Sequence, residues 1–185
     1  VTEDESEKGR RVGLSPQPVD GPDDAALEAR LRAVSPEQWD RLWRAVDAVI
    51  DDPGSHARWI TPERLPDGSM RLPWVRYSDT MFEISRVLHE SDLIVGFAWM
   101  RWRDGIERYL GKPDAVAAAP IADVLRLLTA IERGDRFTEG TTAGALNDGT
   151  LPAAWRALRT WHDRQRRPSE SRWRRIVRRV GRGAF

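Results

Sequence analysis

The chain has no cysteine, which excludes disulfides, thiol nucleophiles and Cys-ligated zinc. Lysine is almost missing too: of the 30 basic residues only Lys8 and Lys112 are lysine. GC-rich codon usage accounts for such a skew, so arginine number alone says little about anion recognition. Histidine is scarce, and His56, His89 and His162 form neither an H-x-x-x-H nor an H-E-x-x-H pattern, so no local metal motif is present. G-x-S-x-G, phosphate-loop and dinucleotide fingerprints are absent, which leaves hydrolase, NTPase and Rossmann assignments without support. No motif implies a cofactor. No apolar run approaches the ~20 residues of a membrane span, and the acidic, polar start is unlike a signal peptide. The expectation is a soluble, cytoplasmic, bacterial-type protein.

What is present is enough for one ordinary domain with a tail or two: 185 residues, of which 40% are hydrophobic. The net charge of +1 predicts no partner by itself. The ends differ, however. Residues 1–52 carry thirteen acids and seven bases, whereas residues 156–185 carry eleven arginines and two acids, a local net of +9. Residues 1–24 are acidic, hold three prolines and have little to bury, so a disordered acidic arm is expected.

The pattern from residue 27 onward is helical. Leu27 and Leu31 suit a short amphipathic helix. Ser35 and Gln38 have capping-box spacing around Pro36, and Trp39, Leu42, Trp43, Val46, Val49 and Ile50 form one apolar face ended by Asp52-Pro53-Gly54. Residues 53–78 read as an irregular, proline-punctuated connection with room for a short hairpin, anchored on the core by Trp59 and Trp74. Ser78 caps a helix over 79–90. Leu93-Ile94-Val95 fits either a short strand or a buried loop, and residues 99–110 read as a helix. An alanine-rich link (115–120) leads to a broad apolar face at Ile121, Val124, Leu125, Leu127, Leu128 and Ile131, the mark of a central helix. Thr138 or Thr141 would cap a short helix closed by Gly149. Thr150 and Pro152 would then open another helix, which Pro168 breaks. Trp173, Ile176, Val177 and Val180 line one face of a last, arginine-rich helix. The fold class is therefore mainly α: a single irregular multi-helix domain around a central apolar helix, with room for one short strand pair near 65–75 or 93–98. The expected organisation is a disordered acidic arm (1–24), a helical domain (27–163) and a basic amphipathic tail (164–185).

The most specific stretch is LRLLTAIERGDRFTEGTTAGALNDGTLPAAWRAL, residues 125–158. Its motifs belong to a wider set: Pro73 and Tyr77 before a helix, Phe97-Ala98-Trp99-Met100-Arg101-Trp102, Leu127-Leu128-Thr129-Ala130-Ile131, Arg133, Asp135-Arg136-Phe137, Glu139-Gly140 and Gly149. On these residues the segment 73–161 resembles an uncharacterised bacterial family, domain-of-unknown-function family 6508. Arg-x-Asp-Arg-Phe-x-Glu-Gly is the specific part of the likeness. The resemblance implies no known activity.

Candidate chemistry concentrates in Glu132, Arg133, Asp135, Arg136 and Glu139. At helical spacing Glu132 faces Arg136, and Asp135 faces Glu139 if the helix continues. In the structural reading Arg133 or Arg136 forks onto a carboxylate and ties the central helix to the next, Phe137 anchors the corner, and Gly140 allows close approach. In the functional reading Arg133 and Arg136 bind an anion while Asp135 or Glu139 serves as general base. The structural reading is favoured, because ion-pair networks commonly imitate sites. His89 and His162 read as surface or dipole-facing residues, and Trp39, Trp43 and Trp155 as core. In the tail, Arg172, Arg174, Arg175, Arg178 and Arg179 are candidates for contact with nucleic acid or a protein partner. An anionic membrane surface has less support. The function expected is a non-enzymatic binding or regulatory module; the alternative is a small enzyme with an Arg/Asp/Glu pocket acting on an anionic substrate.

Overall fold

The computed structural model describes residues 20–166. In chain order the elements are α1 (Asp24–Ala33), α2 (Pro36–Asp51), a 3-10 turn (Pro53–Ser55), β1 (Ala57–Ile60), β2 (Glu63–Arg64), β3 (Met70–Arg71) and β4 (Trp74–Tyr77). They continue with α3 (Asp79–Glu90), a 3-10 turn (Trp99–Arg101), α4 (Arg103–Tyr109), α5 (Pro113–Ala117), α6 (Ile121–Gly134), α7 (Thr141–Asn147) and α8 (Thr150–Arg166). The fold is mainly helical, as the periodicity predicts.

Local chemistry sets the helix starts. Ser35 Oγ accepts from Gln38 N (3.2 Å) and Gln38 Oε1 accepts from Ser35 N (3.0 Å), a complete capping box with Pro36 behind it. Ser78 Oγ likewise accepts from Met81 N at the head of α3. Helices α2 and α3 pack face to face, and Arg41 of α2 reaches Glu83 (2.7 Å) and Glu90 (2.8 Å) of α3 across the rim. These partly exposed pairs add little to the apolar seam of Leu42, Val46, Ile84 and Leu88 beneath them.

Helix α6 is the centre. Every residue from Val124 to Ile131 is buried, and α1, α4, α7 and α8 all touch it. A helix buried on all sides must satisfy its polar groups internally. Buried Arg126 does so on Asp24 (2.8 Å), Asp123 (3.0 Å) and the Pro22 carbonyl (3.2 Å), and thereby ties the chain before α1 to α6. Thr129 Oγ1 donates to the Leu125 carbonyl and accepts from Val95 N, both at 2.9 Å. That second bond decides between the two options at Leu93-Ile94-Val95. The segment is a buried loop, because the Val95 amide bonds a helix side chain and not a neighbouring strand.

Four details depart from the sequence expectation. The connection 53–78 contains two short antiparallel pairs instead of one: β1–β4, with Ala57 opposite Tyr77 and Ile60 opposite Trp74, and β2–β3, with Glu63 opposite Arg71. Pro62 and Pro73, which lack an N–H, lie in the gap between the pairs. The helix expected over 99–110 breaks at Trp102, whose indole turns inward against Phe97 and Tyr109. Gly105 makes room for it, since a Cβ there would overlap the Trp102 ring. The alanine link is partly helical, as α5, and packs on α8. Finally, α7 is capped by neither Thr138 nor Thr141: its N-cap is Gly140, in the left-handed region at φ 84°.

Candidate functional site

The charged corner after α6 is built differently from the helical reading. Helix α6 ends at Gly134, so Asp135 and Glu139 lie on a turn and do not face each other along a helix. Asp135 Oδ1 accepts from the Thr142 amide and from the Tyr77 hydroxyl, both at 2.9 Å, and the Tyr77 oxygen in turn accepts from the Ala143 amide (3.3 Å). Gly140 has no side chain to cap α7, so Asp135 and Tyr77 satisfy its first free amides from outside the helix. Burial and the adjoining Asp135 carboxylate push the Tyr77 phenol well above its ordinary value, so it stays protonated as a donor.

Glu139 Oε1 accepts from the Val75 amide of β4 at 2.7 Å. Val75 stands opposite Trp59 in the β1–β4 ladder, and the Trp59 ring lies on Gly140 so closely that a Cβ would overlap it. The turn 135–140 therefore grips the hairpin at three points, Tyr77, Val75 and Trp59, and α7 at a fourth. Glu132, the last carboxylate of the group, accepts from Ser85 Oγ (2.5 Å) and lies 3.5 Å from His89 Nε2, linking α6 to α3.

The guanidinium groups take no part in this bracing. Among the described residues neither Arg133 nor Arg136 comes within ion-pair distance of a carboxylate, and Glu132 does not pair with Arg136. The expected arginine fork is thus corrected. Neutral donors (a phenol, a hydroxyl and backbone amides) satisfy the carboxylates, because the turn aims Asp135 and Glu139 at β4 and α7 while α6 aims Glu132 at α3. Phe137 does not anchor the corner either: it is 74% exposed and meets only the rim, its ring 5.7 Å from that of Trp99. Next to Trp99, Met100 is 68% exposed, and Trp59 on the far side of Gly140 is 49% exposed. Trp59 is thus a rim residue more than a core anchor, and half-buried Trp74 carries Arg76 over its face.

The histidines sit in three separate settings. His56 Nδ1 pairs with Ser78 Oγ (2.7 Å), and His89 ends α3. His162 is buried, not on the surface as expected. It stacks on Trp39 with centroids 4.4 Å apart, and its Nδ1 accepts from Trp43 Nε1 (3.1 Å). Burial, helped by Arg166, lowers its pKa, so the ring is held neutral. Arg159 closes this α2–α8 seam, with its guanidinium 4.7 Å from the Trp43 ring centroid and 2.7 Å from Asp47. Trp39 and Trp155 are core residues as read, and Trp43 packs against the core half-buried. The tail arginines Arg172, Arg174, Arg175, Arg178 and Arg179 lie outside the described residues.

Two cavities adjoin α8. One, of about 20 Å3, is a small cleft between α3, α6 and the starts of α7 and α8, with Glu132, Ser85 and Trp155 in its wall; it has room for about one water. The other is an open groove of about 360 Å3 between α1, the α5–α6 junction and the outer face of α8. Among the described residues no three of His, Asp and Glu gather to hold a metal ion, and no helix is long and apolar enough to cross a membrane.

Fold and corner together define a helical domain in which half-buried Glu132 and Asp135 and exposed Glu139 brace neighbouring elements, while Phe137, Met100 and Arg136 beside them are exposed. Residues 34–164 match the model of a family of unknown function (DUF6508), and the chain belongs to that family. No curated protein and no solved structure matches it.

Proposed function

We propose that this domain is a non-enzymatic binding module that docks a protein partner through the corner formed by residues 133–140 and the 3-10 turn at Trp99–Arg101. The observation that carries the reading is the division of labour at the corner. The carboxylates that a catalytic site would need are engaged as braces, while exposed Phe137, Met100 and Trp59 and exposed Arg136 lie around them, Phe137 resting on half-buried Trp99. Aromatic, methionine and arginine side chains are the types enriched where protein surfaces meet, and an exposed apolar patch with a charged border marks such a surface. The same geometry weighs against the small enzyme acting on an anionic substrate, because Asp135 and Glu139 are each already bonded to the fold's own amides. A second route, through the tail to nucleic acid, rests on the +9 charge of residues 156–185. It requires binding that is non-specific and steeply weakened by salt.

The test uses the full chain as bait, with Phe137→Ser and Arg136→Glu variants beside it. A partner retained by the wild type should bind each variant at least about tenfold more weakly, since loss of one buried aromatic removes about 1.5–3 kcal/mol. Melting temperatures should not move. A partner held equally by wild type and both variants would overturn the corner reading. If removal of residues 167–185 alone abolished binding, and it fell steeply with salt, the tail would be the contact instead.

A further inference from the structure

The open groove beside α8 lies apart from the corner and takes no part in the reading above. One wall is a single face of α8, where Arg156, Thr160 and Arg164 recur every four residues. The facing wall comes from the α5–α6 junction, with Ala119 and Ile121, and half-buried Trp161 adds an aromatic edge. Neither Arg156 nor Arg164 has a carboxylate within ion-pair distance among the described residues. The one acid in the lining, Glu28, is already paired with Arg32 at 2.6 Å. The groove therefore sets two exposed arginines, unpaired among the described residues, beside the apolar side chains Ala119, Ile121 and Trp161. At about 360 Å3 it falls in the range of small-ligand sites, which are mostly apolar with a few polar groups.

We propose that this groove binds a small organic monoanion with a compact apolar body. Arg156 and Arg164 stand two helical turns apart, about 12 Å along the axis. Their long side chains can both lean toward the space over Thr160 and meet one carboxylate or phosphate there, with the planar guanidinium fork suited to either. The apolar body then lies against Trp161, Ala119 and Ile121. Charge argues against the chain's own tail as occupant, since residues 167–185 carry seven arginines and one acid and would meet two more arginines.

The probe is 3-phenylpropanoate, with 3-phenylpropanamide and inorganic phosphate as controls, titrated into the full chain while the Trp161 indole and the Ala117–Ile121 amides are followed by NMR. Saturable shifts are expected at these positions with Kd in the millimolar range or tighter. The amide should bind at least about tenfold more weakly and phosphate alone about as weakly as the amide. Arg156→Gln and Arg164→Gln should each weaken phenylpropanoate about fivefold with no change in melting temperature. Three results would overturn the proposal: no saturable shift at these positions, equal binding of acid and amide, or phosphate binding as tightly as the aryl acid. Affinity unchanged in both arginine variants would overturn it as well.

Discussion

Replacing Asp135 by alanine removes one carboxylate oxygen that accepts two hydrogen bonds, from the Tyr77 hydroxyl and the Thr142 amide, both at 2.9 Å. Hydrogen bonds to a charged acceptor contribute about 1.5–3 kcal/mol each when buried. Asp135 is only half-buried, so the lower end applies. Loss of a helix cap alone costs about 1 kcal/mol. Together these put Asp135→Ala at about 2–3 kcal/mol of lost stability. Asp135→Asn keeps an acceptor at the same place and should cost about 1 kcal/mol. Tyr77→Phe should cost about 1–1.5 kcal/mol, since Ala143 N then loses its partner as well. Because Asp135, Tyr77 and the head of α7 share one network, the double variant should cost about 1 kcal/mol less than the sum of Asp135→Ala and Tyr77→Phe. Urea denaturation of the wild type and the four variants reads these differences at constant slope. If Asp135→Ala lay within about 0.5 kcal/mol of the wild type, the bracing role would be wrong.

Gly140 stands at φ 84° with the Trp59 ring in the place of a Cβ, so Gly140→Ala should cost about 2 kcal/mol or more, read by thermal melting. Trp59→Ala in that background should recover the overlap but not the backbone strain. His162 is held neutral in the fold, whereas an unfolded chain protonates it below its ordinary value of 6.5. The unfolded state then binds the extra proton, so wild-type stability should fall as pH drops from about 6.5 towards 5. His162→Gln, less stable at neutral pH, should lack that part of the slope; equal slopes in the two proteins would rule the linkage out. Phe137→Ser, at a rim position, should change stability by less than about 0.5 kcal/mol in urea.

Much of the helical architecture could be read from local signals. The Ser35/Gln38 box, the Ser78 cap and the Ile121–Ile131 face each depend on neighbours within a turn or two, so spacing suffices. The corner shows where such reading stops. The residues were found, but the wiring was not, because Asp135 and Glu139 bond partners 58 and 64 positions away. No local pattern encodes which strand a turn will grip, and the helix-spacing rule fails once the helix ends at Gly134. His162 carried a usable signal: it continues the Trp155–Leu158 face at helical spacing. The surrounding arginines pointed to solvent, yet they occupy the other faces of α8. The arginine–threonine–arginine stripe of the groove was equally visible at spacing four, but its facing wall comes from a junction that no periodicity places.

The most direct measurement is native-state hydrogen exchange at the Val75, Thr142 and Ala143 amides in the wild type and in Asp135→Ala and Glu139→Ala. If the carboxylates brace the fold, all three amides are protected in the wild type. Asp135→Ala then releases Thr142 and Ala143 while leaving the α6 amides slow, and Glu139→Ala releases Val75. Fast exchange of these amides in the wild type, or protection unchanged by both substitutions, would contradict the bracing of the hairpin and α7 by this turn.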